Sequence, residues 1–362
     1  MRILVTADPY IPVPPVLYGG IERIIAFLVR SLAARGHDVT LIAHPDSAVA
    51  GATIVAYGRP PHSGAAARAT ELFQVQRALV GRLGSLDIVH SFGRLAGLVP
   101  VLPMRSVPKV QSYQRALSWP GIRAASRLAG RSLAFTACST SVYRDRRRQG
   151  RYGGVWHTIF NGVELDRYQC RPAVPPDAPL VFLGQLEPMK GPHVAIAIAR
   201  AAGRRLVIAG NKQAGARGAE YFERHVSPAI GKDVEYIGPV DDAQKNRVLG
   251  KAAALLFPSF YDEAFGIVMA EAMACGTPVI AFDHGSVPEV VRHGATGFVC
   301  RSEREAVAAV ARLDEIDRAT VRRDCETRFS SDVIVDQYER LYFALSASVS
   351  PRASRSGLCA EC

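Results

Sequence analysis

The 362-residue chain has no apolar run approaching the roughly 18 residues that a membrane-spanning helix needs. That removes an integral helical membrane protein from consideration. Its opening, MRILVTADPY, leads directly into a strand-like run without the longer apolar core of a secretion signal, so the expected location is the cytoplasm. Cysteine is sparse and odd in number: Cys138, Cys170, Cys275, Cys300, Cys325, Cys359 and Cys362 are scattered, which reads as reduced thiols and not as a disulfide framework. Zinc at the Cys359-Ala-Glu-Cys362 pair would need two further ligands. Stacking aromatics are not interleaved with the arginine runs, and no known nucleic-acid-binding motif is present, which argues against a nucleic-acid partner.

What is present is material for burial, with 48% hydrophobic and 21% charged residues, enough for two domains of about 150 to 180 residues each. Acidic residues are short only in the first half. Residues 1–165 hold 20 Lys and Arg against 8 Asp and Glu, net +12, whereas the rest hold 24 against 25, net −1. The densest basic stretch, RDRRRQGR at 144–151, with Arg123, Arg127 and Arg131 before it, suits an anionic membrane surface or a phosphorylated substrate. It equally suits a solvated arginine-rich helix face.

Short β-rich runs alternate with helical patterns along the whole chain. RILVTA, DVTLIA, DIVHS, PKVQSY, LAFTAC and WHTIF read as strands in the first half, and LVFLG, RLVIAG, VEYIG, ALLFPS, TPVIAF and GFVC in the second. Between them lie helices such as residues 21–36, where Ile24, Ile25, Leu28 and Leu32 share one face and Gly36 is the stop. Such alternation predicts an α/β protein of two doubly wound, Rossmann-like domains facing a central cleft. The proline-rich residues 169–179 form the expected linker, giving a first Rossmann-like domain at 1–168 and a second at 180–330. Residues 331–347 are expected to form a helix returning toward the first domain, and 348–362 a disordered tail.

Several segments bear chemistry. Gly19-Gly20 precedes the first helix, where a close backbone approach and the helix dipole suit a phosphate, or simply a turn. Lys190 stands at a helix start in FLGQLEPMKGP, where the dipole disfavours a cation unless an anion is near. GPVDD at 238–242 ends a strand before a helix capped by Asp241. In FYDEAFGIVMAEAMACGTPVIA, Glu263 and Glu271 are eight positions apart, about 12 Å on a single helix, which does not match the 5–9.5 Å of a glycosidase carboxyl pair. Two such carboxylates suit two parts of one long ligand.

Together these segments resemble the retaining glycosyltransferases of family 4, of the GT-B fold. The specific match is YDEAFGIVMAEAMACGTPVIAFDHGSVPEVVRHGATGFVC at 261–300, supported by YGGIER, FNGVELDRY at 160–168 and GQLEPMKGP. The resemblance implies transfer of a sugar from a UDP- or GDP-linked donor to an acceptor, a glycan, a lipid-linked species or a small molecule, with no metal or other cofactor. It implies that Glu263 contacts the transferred sugar, that Phe265, Gly266, Ile267 and Val268 offer backbone N–H groups to the sugar and diphosphate, and that Glu271 binds the ribose. Lys190 would grip the diphosphate, with Gly19 and Gly20 nearby, and Gly238 and Val240 would meet the nucleobase.

The chain departs from the family pattern in two places. Gln185 stands where an arginine usually joins the lysine on the diphosphate, and the usual cleft histidine is replaced in the region of Gln114 and Arg115. His90, closing DIVH, is a further cleft candidate or a structural residue. An epimerase or phosphorylase on the same fold, or a catalytically silent nucleotide-sugar-binding protein, are the alternatives. Because an amide keeps a donor but loses the charge, Gln185→Arg is expected to tighten nucleoside diphosphate binding in isothermal titration. Unchanged or weakened binding would show that this pocket has left the family shape.

Overall fold

The computed structural model describes residues 1–15, 19–58, 65–114, 117, 119–144 and 153–349. The candidate residue Arg115, the arginines Arg146, Arg147 and Arg148 and the thiols Cys359 and Cys362 lie outside the described residues. Two all-parallel sheets form the frame. The first contains β1 (Arg2–Thr6), β2 (Asp38–Ala43), β3 (Ala52–Ala56), β4 (Ile88–Ser91), β5 (Lys109–Tyr113), β6 (Leu133–Ala137) and β7 (Val155–Thr158), in the order β3-β2-β1-β4-β5-β6-β7. The second contains β8 (Leu180–Leu183), β9 (Leu206–Ala209), β10 (Val234–Tyr236), β11 (Ala254–Phe257), β12 (Val279–Phe282) and β13 (Gly297–Cys300), in the order β10-β9-β8-β11-β12-β13.

Helices cover both faces, so the central strands are buried on both sides and read as continuous apolar runs. β3 is absent from the sequence-based expectation. It is a five-residue edge strand with no fully buried position, and it lacks the unbroken apolar signal of its neighbours. Among the described residues, no helix is long and apolar enough to cross a membrane.

The chain passes between the sheets twice. Residues 169–179 carry no helix or strand. The return is secured where the Val163 N–H donates to the Phe329 carbonyl at 2.8 Å and the Ser331 N–H donates to the Val163 carbonyl at 2.9 Å. The helix Ser331–Val349 then packs on the helix Gly20–Ala34, burying Ile334, Val335, Tyr338 and Tyr342 in the core of the first sheet.

This helix decides between the two readings of His90: it is the structural residue and not a cleft residue. The imidazole is fully buried on β4, with Nδ1 2.6 Å from the Tyr342 hydroxyl, Nε2 2.6 Å from Ser112 Oγ, and its ring centroid 4.9 Å from that of Tyr338. It welds the terminal helix to the sheet and does not face a ligand. Burial pushes its pKa down to about 3.

A histidine held neutral in the fold stabilises the protein above the unfolded pKa of about 6.5 and loses that contribution as pH falls toward 3, since only the unfolded chain takes up the proton. The expected slope from this residue is about 1.4 kcal/mol per pH unit in that window. His90→Gln should therefore lower stability at pH 7 yet show a smaller loss between pH 7 and pH 5 in denaturant titrations. An equal loss in both proteins would assign the acid sensitivity elsewhere.

Candidate active site

In an open parallel sheet, loops on either side of the point where strand order reverses turn in opposite directions and leave a crevice at the carboxyl edge. In the second sheet that point lies between β8 and β11. Residues 184–191 follow β8 and residues 258–266 follow β11, which brings Gln185, Lys190 and Glu263 to one crevice. Lys190 and Glu263 are joined directly, Nζ to Oε1, and Ser259 Oγ donates to the same carboxylate oxygen at 3.4 Å. Gly191 makes this approach possible: it has φ +73°, and a Cβ there would lie 2.4 Å from the Pro258 carbonyl oxygen. Gln185 is half-buried in the same loop.

Glu263 ends outside the helix Ile267–Ala274 and Glu271 within it, so the two carboxylates are directed to different places. Gly266 caps that helix with φ +71°. Its first residue meets the other domain: a Cβ on Gly20 would be 3.8 Å from Ile267 Cγ2. Two helix starts, at Gly20 beside Gly19 and at Ile267 beside Val268, thus face one another across the cleft. Each presents the positive end of a helix dipole, a suitable place for a diphosphate. The Phe265 ring is buried against Phe160 and Phe329, with ring centroids 6.0 Å and 5.5 Å away, so its side chain serves the core.

Glu271 is buried and held by two donors. Lys245 Nζ contacts its Oε1, and the Tyr168 hydroxyl donates to the same oxygen at 2.9 Å. Lys245 also lies 3.4 Å from Asp242, whose other oxygen accepts from Arg23 at 2.6 Å and Arg167 at 3.2 Å. Burial raises the Asp242 pKa, but Lys245 and Arg23 outweigh it and keep the carboxyl below its ordinary range. The phenol of Tyr168 is pushed far up by burial and by Glu271. An ionic chain thus runs from Arg23, on the first helix, through Asp242 and Lys245 to Glu271.

Gly238 and Val240 lead into this chain. Gly238 has φ +77° and accepts from the Gly210 N–H at 2.8 Å, and Asp241 and Gln244 form a reciprocal cap on the helix Asp242–Lys251 that presents Lys245. Gln114 is partly buried after β5, with its side-chain oxygen enclosed and no hydrogen-bond partner among the described residues. The sequence reading missed Lys245, Asp242, Arg23 and Tyr168. The available signal was the Asp242/Lys245 spacing of three on a capped helix, which by itself is an ordinary helix pair. Among the described residues, no three His, Cys, Asp or Glu side chains converge as a metal cage.

Comparison with known proteins agrees with this architecture. The profile of the group 1 glycosyl transferases matches residues 173–324, and that of glycosyltransferase family 4 matches residues 18–167. The chain is 28% identical to the glycogen synthase of Mycobacterium tuberculosis over 384 residues, covering 92% of this chain and 91% of that one. It is 30% identical to the phosphatidyl-myo-inositol mannosyltransferase of Mycobacterium leprae over 207 residues, 52% and 54% of the two chains. A solved glycosyltransferase involved in avilamycin A biosynthesis superposes with a TM-score of 0.69 at 26% identity, covering 96% and 98%. The HepE protein of Anabaena, solved in complex with UDP-glucose, shares the fold with a TM-score of 0.72 at 18% identity, covering 95% and 100%. The chain belongs to the family 4 glycosyltransferases and has the GT-B fold.

Removing one member of a buried ion pair costs about 3–5 kcal/mol because the partner's charge stays behind. Lys245→Met is therefore expected to lower thermal stability and to weaken nucleoside diphosphate binding at least tenfold, with Lys245→Arg recovering most of both. Full-strength binding by Lys245→Met would detach Lys245 from the site.

Proposed function

We propose that the chain moves a sugar from a UDP- or GDP-linked donor to an acceptor on the first domain, with retention at the anomeric carbon and without a metal ion. The observation that carries this reading is the joined Lys190–Glu263 pair at the switch point, with Glu271 held at depth on the helix that follows. The nucleotide-sugar in the HepE neighbour supports a donor of this class. In this reading the diphosphate lies between the two facing helix starts and shares Lys190 with Glu263. Glu271, oriented by Lys245 and Tyr168, accepts from the ribose hydroxyls.

The bond from the anomeric carbon to the diphosphate oxygen breaks, the acceptor oxygen bonds to that carbon on the same face, and the acceptor proton passes to the departing diphosphate. Negative charge grows on the leaving oxygen, and a preorganised cation in a poorly hydrated cleft stabilises it selectively in the transition state. Glu263 holds Lys190 in place for this and faces the transferred sugar.

Lys190→Ala should reduce kcat by about a hundredfold or more, as when one strong electrostatic donor is lost. Glu271→Ala should mainly raise the donor KM, while Glu263→Ala lowers kcat as well. Near-normal kcat in the lysine variant, or equal mild effects of both glutamates, would overturn these roles. Turnover should continue in excess EDTA. Loss that manganese restores would refute the metal-independent step.

A further inference from the structure

The first sheet has its own switch point, between β1 and β4, with Asp8 following β1 and Gly93 and Arg94 following β4. A cavity of about 530 Å³ opens there, within the roughly 300–1,000 Å³ range of small-molecule sites. Leu95 and Val99, Leu128 of the helix Trp119–Ala129 and Tyr113 at the end of β5 line it. Val99 and Leu128 are 51% and 50% exposed, so two large apolar side chains border this cavity with about half their surface open to water.

The polar groups are few and informative. Among the described residues, Asp8, Arg94 and Tyr113 are the lining residues that carry a polar side-chain atom. The Arg94 guanidinium is 3.5 Å from buried Glu71, which also accepts from the Tyr10 hydroxyl at 3.2 Å, so its charge is answered from within the protein. Asp8 likewise has a partner within the protein, and its carboxylate, with two oxygens, has acceptor capacity left for a ligand hydroxyl. Among the described residues the lining is mostly apolar and offers few hydrogen-bonding side chains, which suits an apolar body better than a polysaccharide.

Building on the transferase reading above, we infer that the acceptor is a neutral amphiphile. Its apolar body occupies the cavity between Val99 and Leu128, and its hydroxyl-bearing end lies beside Asp8 at the mouth of the cleft. The two switch points then hold the two substrates, one per domain.

Octyl and methyl β-glucoside, both below the micellar concentration of the octyl compound, offer the same hydroxyls with and without an apolar body. Isothermal titration of the full chain should show octyl glucoside binding at one site per chain at least tenfold more tightly. Val99→Asp and Leu128→Asp should each remove that preference while keeping wild-type affinity for UDP or GDP, which reports an intact fold and donor site. Equal affinity for the two glucosides, or a preference that survives both substitutions, overturns the inference while nucleotide binding leaves the transferase reading in place. Octyl preference in a chain that binds no nucleoside diphosphate overturns the transferase reading instead, and with it the acceptor role.

Discussion

The handedness of parallel strand connections governs this molecule. Right-handed crossovers wind each sheet outward from its first strand in two directions, and the reversal leaves a crevice that no helix can cover. Both sheets here reverse beside their first strand, β1 in one and β8 in the other. The two loop pairs that carry the candidate chemistry follow from those reversals. Lys190 and Glu263 meet because their loops leave adjacent strands, β8 and β11, on opposite sides of the crevice. Asp8 and Gly93 meet in the first domain for the same reason, and a Cβ on Gly93 would lie 3.6 Å from Asp8 Oδ1.

A second constraint ties the domains together. The two chain crossings converge at Val163, and the carboxylate of Glu289 accepts from the Thr140 and Ser141 N–H groups of the first domain at 2.8 Å each. The chain Arg23–Asp242–Lys245–Glu271 adds a link whose far end is a residue of the proposed donor site. Such partly buried ion pairs contribute little net stability, because desolvation offsets much of the attraction. Their effect here is geometric: they couple the position of a carboxylate in the second domain to a helix of the first.

Much of this was legible in the residues. Strand and helix alternation gave the two-sheet architecture because strands buried on both faces are largely apolar, and β4, β6, β11 and β12 are buried along their whole length. The Glu263 and Glu271 spacing was informative because a loop and a helix start intervene, and Gly266 marks the boundary. β3 left a weak trace because an edge strand need not be buried. His90 stayed ambiguous for a physical reason: a polar residue at the carboxyl end of a strand in such a sheet sits where ligands usually bind, and only packing from a distant helix takes it out of reach.

The order of residues by itself determined the class of fold, the glycine positions at the helix starts and the candidate Lys190, Glu263 and Glu271, because each depends on local periodicity, backbone freedom or short spacing. Only the tertiary structure decided that Tyr342, 252 positions away, buries His90. It likewise decided that Lys245, 26 positions from Glu271, orients that carboxylate, and that the first domain offers an apolar cavity at its own switch point. Those contacts join side chains far apart in sequence, and a hydrogen bond or an ion pair leaves no periodic mark on the chain that makes it.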